Sequence, residues 1–295
     1  MAKFSEETLN QWRKPPSDTE ETKLSNAKRM VKEAIQASVD LKDKKIDVFG
    51  QGSYANDTNV KLDSDIDLNA SLNDTVFIDI PKEKKQEDFG YGDSSYKFST
   101  YKDSIEKALV TKFGRTEVIR NDKCITIKAN SYRVEADVIP TFKYYRHDEN
   151  GGKAIGTKFI TDEGKSIVNY PIQHIDNGKK KNSQTHKRFK RLTRIFKRLR
   201  YKMIEDNEPV SDNISSFLIE CLVFNVPDNV FNDNDTWTDR LRESIGFLYQ
   251  QTEEEKDCKE WGEVSELLYL FHSSRKWKYT DVNTFLLQAW KYLEY

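Results

Sequence analysis

The apolar positions along this chain change period several times, and each change marks an element. Leu24, Ala27, Met30, Val31, Ala34, Ile35, Ala37 and Leu41 recur at helical spacing behind Pro15-Pro16 and the capping run Ser17-Asp18-Thr19-Glu20, which predicts one amphipathic helix over 18–42. Such a helix spans about 37 Å, long enough to brace two lobes. The run Ile46–Phe49 then reads as a strand ending at Gln51-Gly52-Ser53, and Asp65-Ile66-Asp67-Leu68 as a second strand. Asn73–Ser99 is polar and reads as an excursion or mobile loop. Ser99 caps an expected helix over Thr100–Lys112, with Tyr101, Ile105, Ala108, Leu109 and Phe113 on its buried side. Strand patterns follow at Arg115–Arg120, Lys123–Ala129 and Tyr132–Ile139, where Val134, Ala136 and Val138 alternate with Arg133, Glu135 and Asp137. Thr157–Asn182 is weakly patterned and is expected to cross between lobes. Beyond it the pattern turns helical, at Gln184–Glu205, at Asn213–Val226 and on to Leu293.

The stretch GSYANDTNVKLDSDIDL carries the first candidate chemistry. Gly52 lets a backbone approach a phosphate, Ser53 adds a hydroxyl donor, and a helix begun there aims free N–H groups at the same anion. Asp65 and Asp67 emerge from one strand face while Ile66 and Leu68 enter the core, and two adjacent hard carboxylates suit Mg²⁺. Asp63 extends the alternation, so spacing alone leaves the pair ambiguous. Asp65 and Asp67 are preferred because they flank Ile66. An antiparallel meander could deliver Asp137 to the same side, although Glu135 and Asp137 could equally line a wet face.

Composition narrows the classes. With 33% charged residues and a net charge of -1 over 295 residues, overall charge points to no nucleic-acid partner. Positive charge is nevertheless concentrated at Lys179–Lys181 and Lys187–Lys202. Cys124, Cys221 and Cys258 are far apart, which argues against a zinc module or a disulfide framework and for a reducing, cytoplasmic compartment. No apolar leader opens the chain, and no stretch approaches the roughly 18 apolar residues of a membrane span.

Taken as an ordered set, GSY, SDIDL, VEADVIP, RFKRLTRIFKRLR and ISSFLIECLVFNVP resemble the bacterial cGAS/DncV-like nucleotidyltransferases, the CD-NTases of anti-phage signalling, over about residues 40–230. QGSYANDTNVKLDSDIDL is especially similar to the CdnE group. The resemblance implies metal binding by Asp65, Asp67 and Asp137, the last also helping to deprotonate a ribose hydroxyl, and a phosphate-binding turn at Gly52-Ser53. It places Lys197 and Ser216 on phosphate and Phe217 under a base. Phe217 departs from the tyrosine often found there and loses a hydroxyl. Asn169 and Asn182 are candidates for base choice. Nothing matches the His/Cys zinc insertion with which the animal cyclic GMP-AMP synthase grips DNA, so activation by duplex DNA in that manner is not expected.

The expected architecture is therefore α+β: a polymerase-beta-like nucleotidyltransferase core with a mixed sheet over 1–165, a helical lobe over 166–295, and a cleft between them. The expected activity joins NTPs through 2'/3'-5' phosphodiester bonds with release of pyrophosphate, using two Mg²⁺ with Mn²⁺ as a substitute. The expected product is a cyclic dinucleotide containing uridine or adenosine, a second messenger received by an effector protein. A nucleotidyltransferase that adds nucleotides to RNA or a small molecule is the first alternative, and a catalytically silent nucleic-acid-binding module is the second. The stretch 179–202 is the candidate surface for an RNA or other polyanionic activator.

Overall fold

The computed structural model describes residues 2–15, 18–60 and 66–295, with the side chains of 18–21 left aside. In chain order its elements are α1 (Glu6–Trp12), α2 (Asp18–Ala37), β1 (Ile46–Gln51), α3 (Gly52–Ala55), β2 (Ile66–Asp79), α4 (Phe98–Phe113), β3 (Val118–Arg120), β4 (Ile125–Ile127), β5 (Ala136–His147), β6 (Lys153–Ile160), β7 (Ser166–Asn169), α5 (Pro171–Gln184), α6 (Arg188–Glu205), α7 (Ser216–Phe224), α8 (Asp228–Asn232), α9 (Trp237–Gln251), α10 (Glu255–Cys258) and α11 (Tyr279–Tyr292). They fall into two compact units. One holds 17–54 and 61–171; the other holds 1–16, 55–60 and 172–295.

The first unit is a mixed sheet in the order β1-β2-β5-β4-β3, with β6 on β5 and β7 on β6. β5 is central: it runs parallel to β2, antiparallel to β4 through its first residues and antiparallel to β6 through its last. Alternation gives the sheet two unlike faces. Ile66, Leu68, Ala70 and Leu72 of β2 are fully buried and share a core with Ala136, Val138 and Phe142 of β5. Leu24, Ala27, Val31 and Ala34 of α2 and Tyr101, Ile105 and Leu109 of α4 complete that core. Each fully buried Leu or Ile there contributes about 1.5–3 kcal/mol. Tyr101 enters with its hydroxyl satisfied, donating to the carbonyl of Ala70 at 2.9 Å.

The second unit is helical. The stripe Phe189, Leu192, Ile195, Phe196, Leu199 and Met203 of α6 is at most 2% exposed and packs with α7, α9 and α11. Two pieces of chain remote in sequence belong to it. Glu6 of α1 accepts from the N–H of Trp237 at 2.8 Å and of Thr238 at 3.0 Å, so its carboxylate caps α9. Thr58 is buried in the polar interior of the same unit.

Several expectations need correcting. The division at 165/166 gives way to one at 171/172, with 1–16 and 55–60 on the helical side. β2 runs on to Asp79, past a register shift between Leu72 and Val76, so the start of the loop expected over Asn73–Ser99 is strand. Thr157–Asn182 is not an unpatterned crossing: it completes β6, forms β7 and makes most of α5. The helix expected over Gln184–Glu205 begins at Arg188, because His186 and Lys187 take positive φ and separate it from α5. No helix among the described residues is long and apolar enough to cross a membrane.

Candidate active site

On the sheet face opposite the core, the parallel register sets Asp67 of β2 directly beside Asp137 of β5. Neighbouring strands lie about 4.8 Å apart, so the carboxylates rise side by side. Gly52, at φ +67°, lies against the first of them: a β-carbon built on it would come 2.1 Å from Asp67 Oδ2. Any other residue there would meet both backbone strain and the carboxylate. Gly52 and Ser53 open α3 directly after β1, so the turn expected to bind phosphate follows the strand whose Gln51 pairs with Asp67. Asp65, the expected partner of Asp67, lies outside the described residues, as does Asp63.

Asp137 is held from behind. Thr126, the polar position between Ile125 and Ile127 on β4, faces it in register and donates its hydroxyl to Oδ1 at 2.5 Å. Asn121 Nδ2 in turn donates to Thr126 Oγ1 at 2.8 Å. The neighbouring thiol of Cys124 is pushed up to about 11, first by burial and then by the charge of Asp137, so it stays protonated beside the site. Sequence reading missed Thr126. The apolar–polar–apolar pattern of β4 was visible, but only the strand register aims that hydroxyl at Asp137. Thr126→Val is expected to lower turnover about tenfold, in the manner of groups that orient metal-binding carboxylates. It should also raise the Mg²⁺ concentration needed for half-maximal rate, with Thr126→Ser restoring both. An unchanged Mg²⁺ dependence would reduce Thr126 to ordinary packing.

Further along the same face, Asn69 donates to Gln51 Oε1 at 3.0 Å and accepts from Thr141 Oγ1 at 2.7 Å, forming a buried polar floor. Thr157 of β6 belongs to this floor, and Asn169 of β7 pairs with Thr157 in register. The sheet's alternation therefore puts Asn169 on the face that carries Asp67 and Asp137.

Asn182 is elsewhere. Its Oδ1 accepts from the N–H of Lys190 at 3.2 Å, which satisfies an orphan donor in the first turn of α6. The expectation that it reads a base is corrected to this structural role.

The helical unit carries the other expected residues. Ser215 caps α7 through Leu218 N–H at 3.2 Å, and Ser216 beside it bonds the Tyr201 hydroxyl at 3.3 Å. Phe217 is 37% exposed and stacks on Trp277, with centroids 5.3 Å apart and planes at 19°. The indole Nε1 of Trp277 is buried without a hydrogen-bond partner among the described residues. Lys197 does not fit its expected role. It is 2% exposed, and its ammonium donates to Thr58 O at 3.1 Å, Thr58 Oγ1 at 2.9 Å and Glu220 Oε2 at 2.9 Å. An ammonium has three donors, and all are taken. The expected phosphate contact by Lys197 is therefore corrected to a buried ion pair. Arg200, one turn on, was not singled out from the sequence. Its half-buried guanidinium keeps a buried Nε without a partner among the described residues.

The basic stretch 179–202 is likewise not one open surface. Lys181 pairs with Asp228 at 2.7 Å, Lys202 with Asp206 at 2.9 Å, and Arg198 donates to the carbonyl of Gln11 at 2.6 Å. These pairings take up part of the charge that the linear sequence gathers.

The donor chemistry of the Asp67–Asp137 pair, two hard carboxylates side by side with one braced by a hydroxyl, fits a divalent cation. With Asp65 undescribed, no cluster of three acidic, His or Cys groups appears among the described residues.

Comparison with known proteins agrees with this geometry. Residues 176–294 match the cGAS/DncV-like nucleotidyltransferase C-terminal helical domain. A cyclic dipyrimidine nucleotide synthase, CdnE, from Cecembia lonarensis is 59% identical over 295 residues, covering 100% of both chains. The CdnE cyclic dinucleotide synthase of Elizabethkingia meningoseptica, solved with GTP and Apcpp, is 36% identical with a TM-score of 0.84, covering 99% of this chain and 100% of that one. The CdnE c-UMP-AMP synthase of Rhodothermus marinus, solved with Apcpp and Upnpp, gives a TM-score of 0.86 at 27% identity, over 97% of this chain and 95% of that one. With its carboxylate pair on a mixed sheet and its matching helical domain, this chain belongs to the cGAS/DncV-like nucleotidyltransferases, in the CdnE group.

Proposed function

We propose that this enzyme joins two nucleoside triphosphates into a cyclic dinucleotide built from pyrimidines, with uridine as the first candidate base. The observation that supports it best is the identity of 59%, spread over the whole of both chains, with a cyclic dipyrimidine nucleotide synthase. Each joining step forms a bond from a ribose hydroxyl oxygen to an α-phosphorus and breaks the bond to the leaving pyrophosphate. Two such steps close the ring. Asp67 and Asp137, with Asp65, are the residues that would hold Mg²⁺, which when bound neutralises the triphosphate and acidifies the attacking hydroxyl. Asp137, oriented by Thr126, accepts the proton of that hydroxyl. Gly52 and Ser53 receive the phosphates, Phe217 stacks on a base with Trp277 behind it, and Asn169 reads a base edge. Arg200 takes the phosphate contact that the ion-paired Lys197 cannot make. Ser216 remains a phosphate ligand in this reading. The product acts as a second messenger of anti-phage defence in the cytoplasm, received by an effector protein.

The test is product analysis with each NTP singly and in pairs, in Mg²⁺ and without RNA. A phosphatase-resistant, phosphodiesterase-sensitive product is expected from UTP, alone or with CTP, with the mass of a cyclic dinucleotide. A phosphatase-sensitive ladder, or label found only on added RNA, would replace the cyclase reading with the tail-adding one.

A further inference from the structure

Within the helical unit, the segment after α1, the segment 55–60 and the first turns of α6 line a half-open cavity of about 250 Å³. Arg13, Lys187, Lys190, Arg191 and Arg194 line it against one carboxylate, Asp57. That carboxylate is already engaged, since Arg194 Nη1 donates to Asp57 O at 2.5 Å and lies 3.3 Å from Asp57 Oδ1. Arg194 is 4% exposed and also donates through Nε to the carbonyl of Arg13 at 2.7 Å, so it fixes the wall. Lys190 is different. It is only 9% exposed, it lines the cavity, and its ammonium has no hydrogen-bond or ion-pair partner among the described residues. Burial holds its pKa below the ordinary value, and the pull of Asp57 and Glu220 does not restore it. Arg191, half-buried on the next position, is lowered by burial and by Arg13 and Arg188.

An ammonium without an acceptor among the described residues, gathered with further cations around a small volume, is repelled by its neighbours. An anion supplies what is missing: acceptor oxygens for Lys190 and charge for its neighbours. The volume is small and the cations converge, which suits one concentrated charge rather than an extended backbone, whose phosphates need a track of spaced contacts. We propose that this cavity is a binding site for a small polyphosphate anion, of two or three linked phosphates, held by Lys190, Arg191 and Lys187. It shares no residue with the Asp67–Asp137 pair or with Ser216 and Phe217, so its test does not depend on the product of the enzyme.

The experiment is calorimetric titration of the full chain with inorganic tripolyphosphate in EDTA, which keeps divalent cations from carrying the anion to the carboxylates. Lys190→Met preserves the apolar stem and removes the charge; Arg191→Ala, at a half-buried position, serves if the first variant does not fold. Both are expected to weaken tripolyphosphate binding by about tenfold or more, as loss of a charge-assisted hydrogen bond does. Lys180→Ala, an exposed lysine outside the cavity, and Ser216→Ala are expected to leave it within about twofold. Three results would overturn the assignment. One is unchanged binding in both cavity variants; a second is an equal loss in Ser216→Ala, which would put the anion in the nucleotide site. The third is a single-stranded RNA of twelve nucleotides that binds more tightly than tripolyphosphate and is weakened by the same two substitutions.

Discussion

Asp67→Asn and Asp137→Asn are each expected to abolish nucleotide joining, with turnover falling by at least about 10²-fold and the folded structure retained. Asparagine keeps the shape of the carboxylate and removes its charge. The neighbours in register, Gln51 and Ala136 through Val138, keep their packing. What is lost is the second hard ligand of a pair, and a divalent cation is not held well by one carboxylate and an amide. The same substitution at Asp65 is expected to act alike. Circular dichroism melts should overlay the wild type while labelled NTP is not consumed. Turnover above about a tenth of wild type in either variant would remove the pair from the chemistry, since loss of a transition-state contact costs far more than that.

Lys197→Met is expected to cost stability rather than only affinity, by about 3–5 kcal/mol, because it strands a buried carboxylate. Glu220 is 3% exposed and is bonded by Lys197 at 2.9 Å, by Thr58 Oγ1 at 2.5 Å and by His174 Nε2 at 3.0 Å. Burial pushes its carboxyl up, but Lys197, His174 and Thr58 outweigh burial and hold it at about 2. The unfolded chain then binds the proton first on acidification. The contribution of this carboxylate is complete above a pH of about 4.5 and is lost progressively as the pH falls toward about 2. Denaturant melts at neutral pH check the first statement and melts across that acid window the second. Adding Glu220→Gln to Lys197→Met should recover part of the loss, since the second substitution removes the stranded charge. A single-variant loss below about 1 kcal/mol would mean the pair is better solvated than its burial implies.

Not all of this was legible in the sequence, and the division follows the range of the interactions. Period-2 alternation around Asp67 and Asp137, and the 3.6-residue stripe from Phe189 to Met203, report which side of an element is apolar. Both are local properties, and both survive in the structure. The short α3 after Gly52 was readable for the same reason, from a strand that stops at a glycine. What the linear chain could not specify is pairing between remote segments. That Asp67 stands beside Asp137 depends on β5 crossing back to lie parallel to β2, after α4 and two short strands. That Thr126 aims at Asp137 depends on the register of β4.

The cations of α6 make the same point from the other side. In the sequence, Lys190, Arg194, Lys197 and Arg198 are equivalent charges on one helix. Tertiary packing gives Arg194 to Asp57, Lys197 to Glu220 and Arg198 to backbone carbonyls, and leaves Lys190 on the cavity wall without an acceptor among the described residues. The sequence by itself determined the two kinds of lobe, the strand faces that carry the carboxylates and the glycine turn before them, because burial periodicity is written residue by residue. The tertiary structure alone decided which carboxylates meet, which lysine is used up in the core, and that the first residues of the chain serve the helical unit. A charge has no assigned partner until distant segments fold around it.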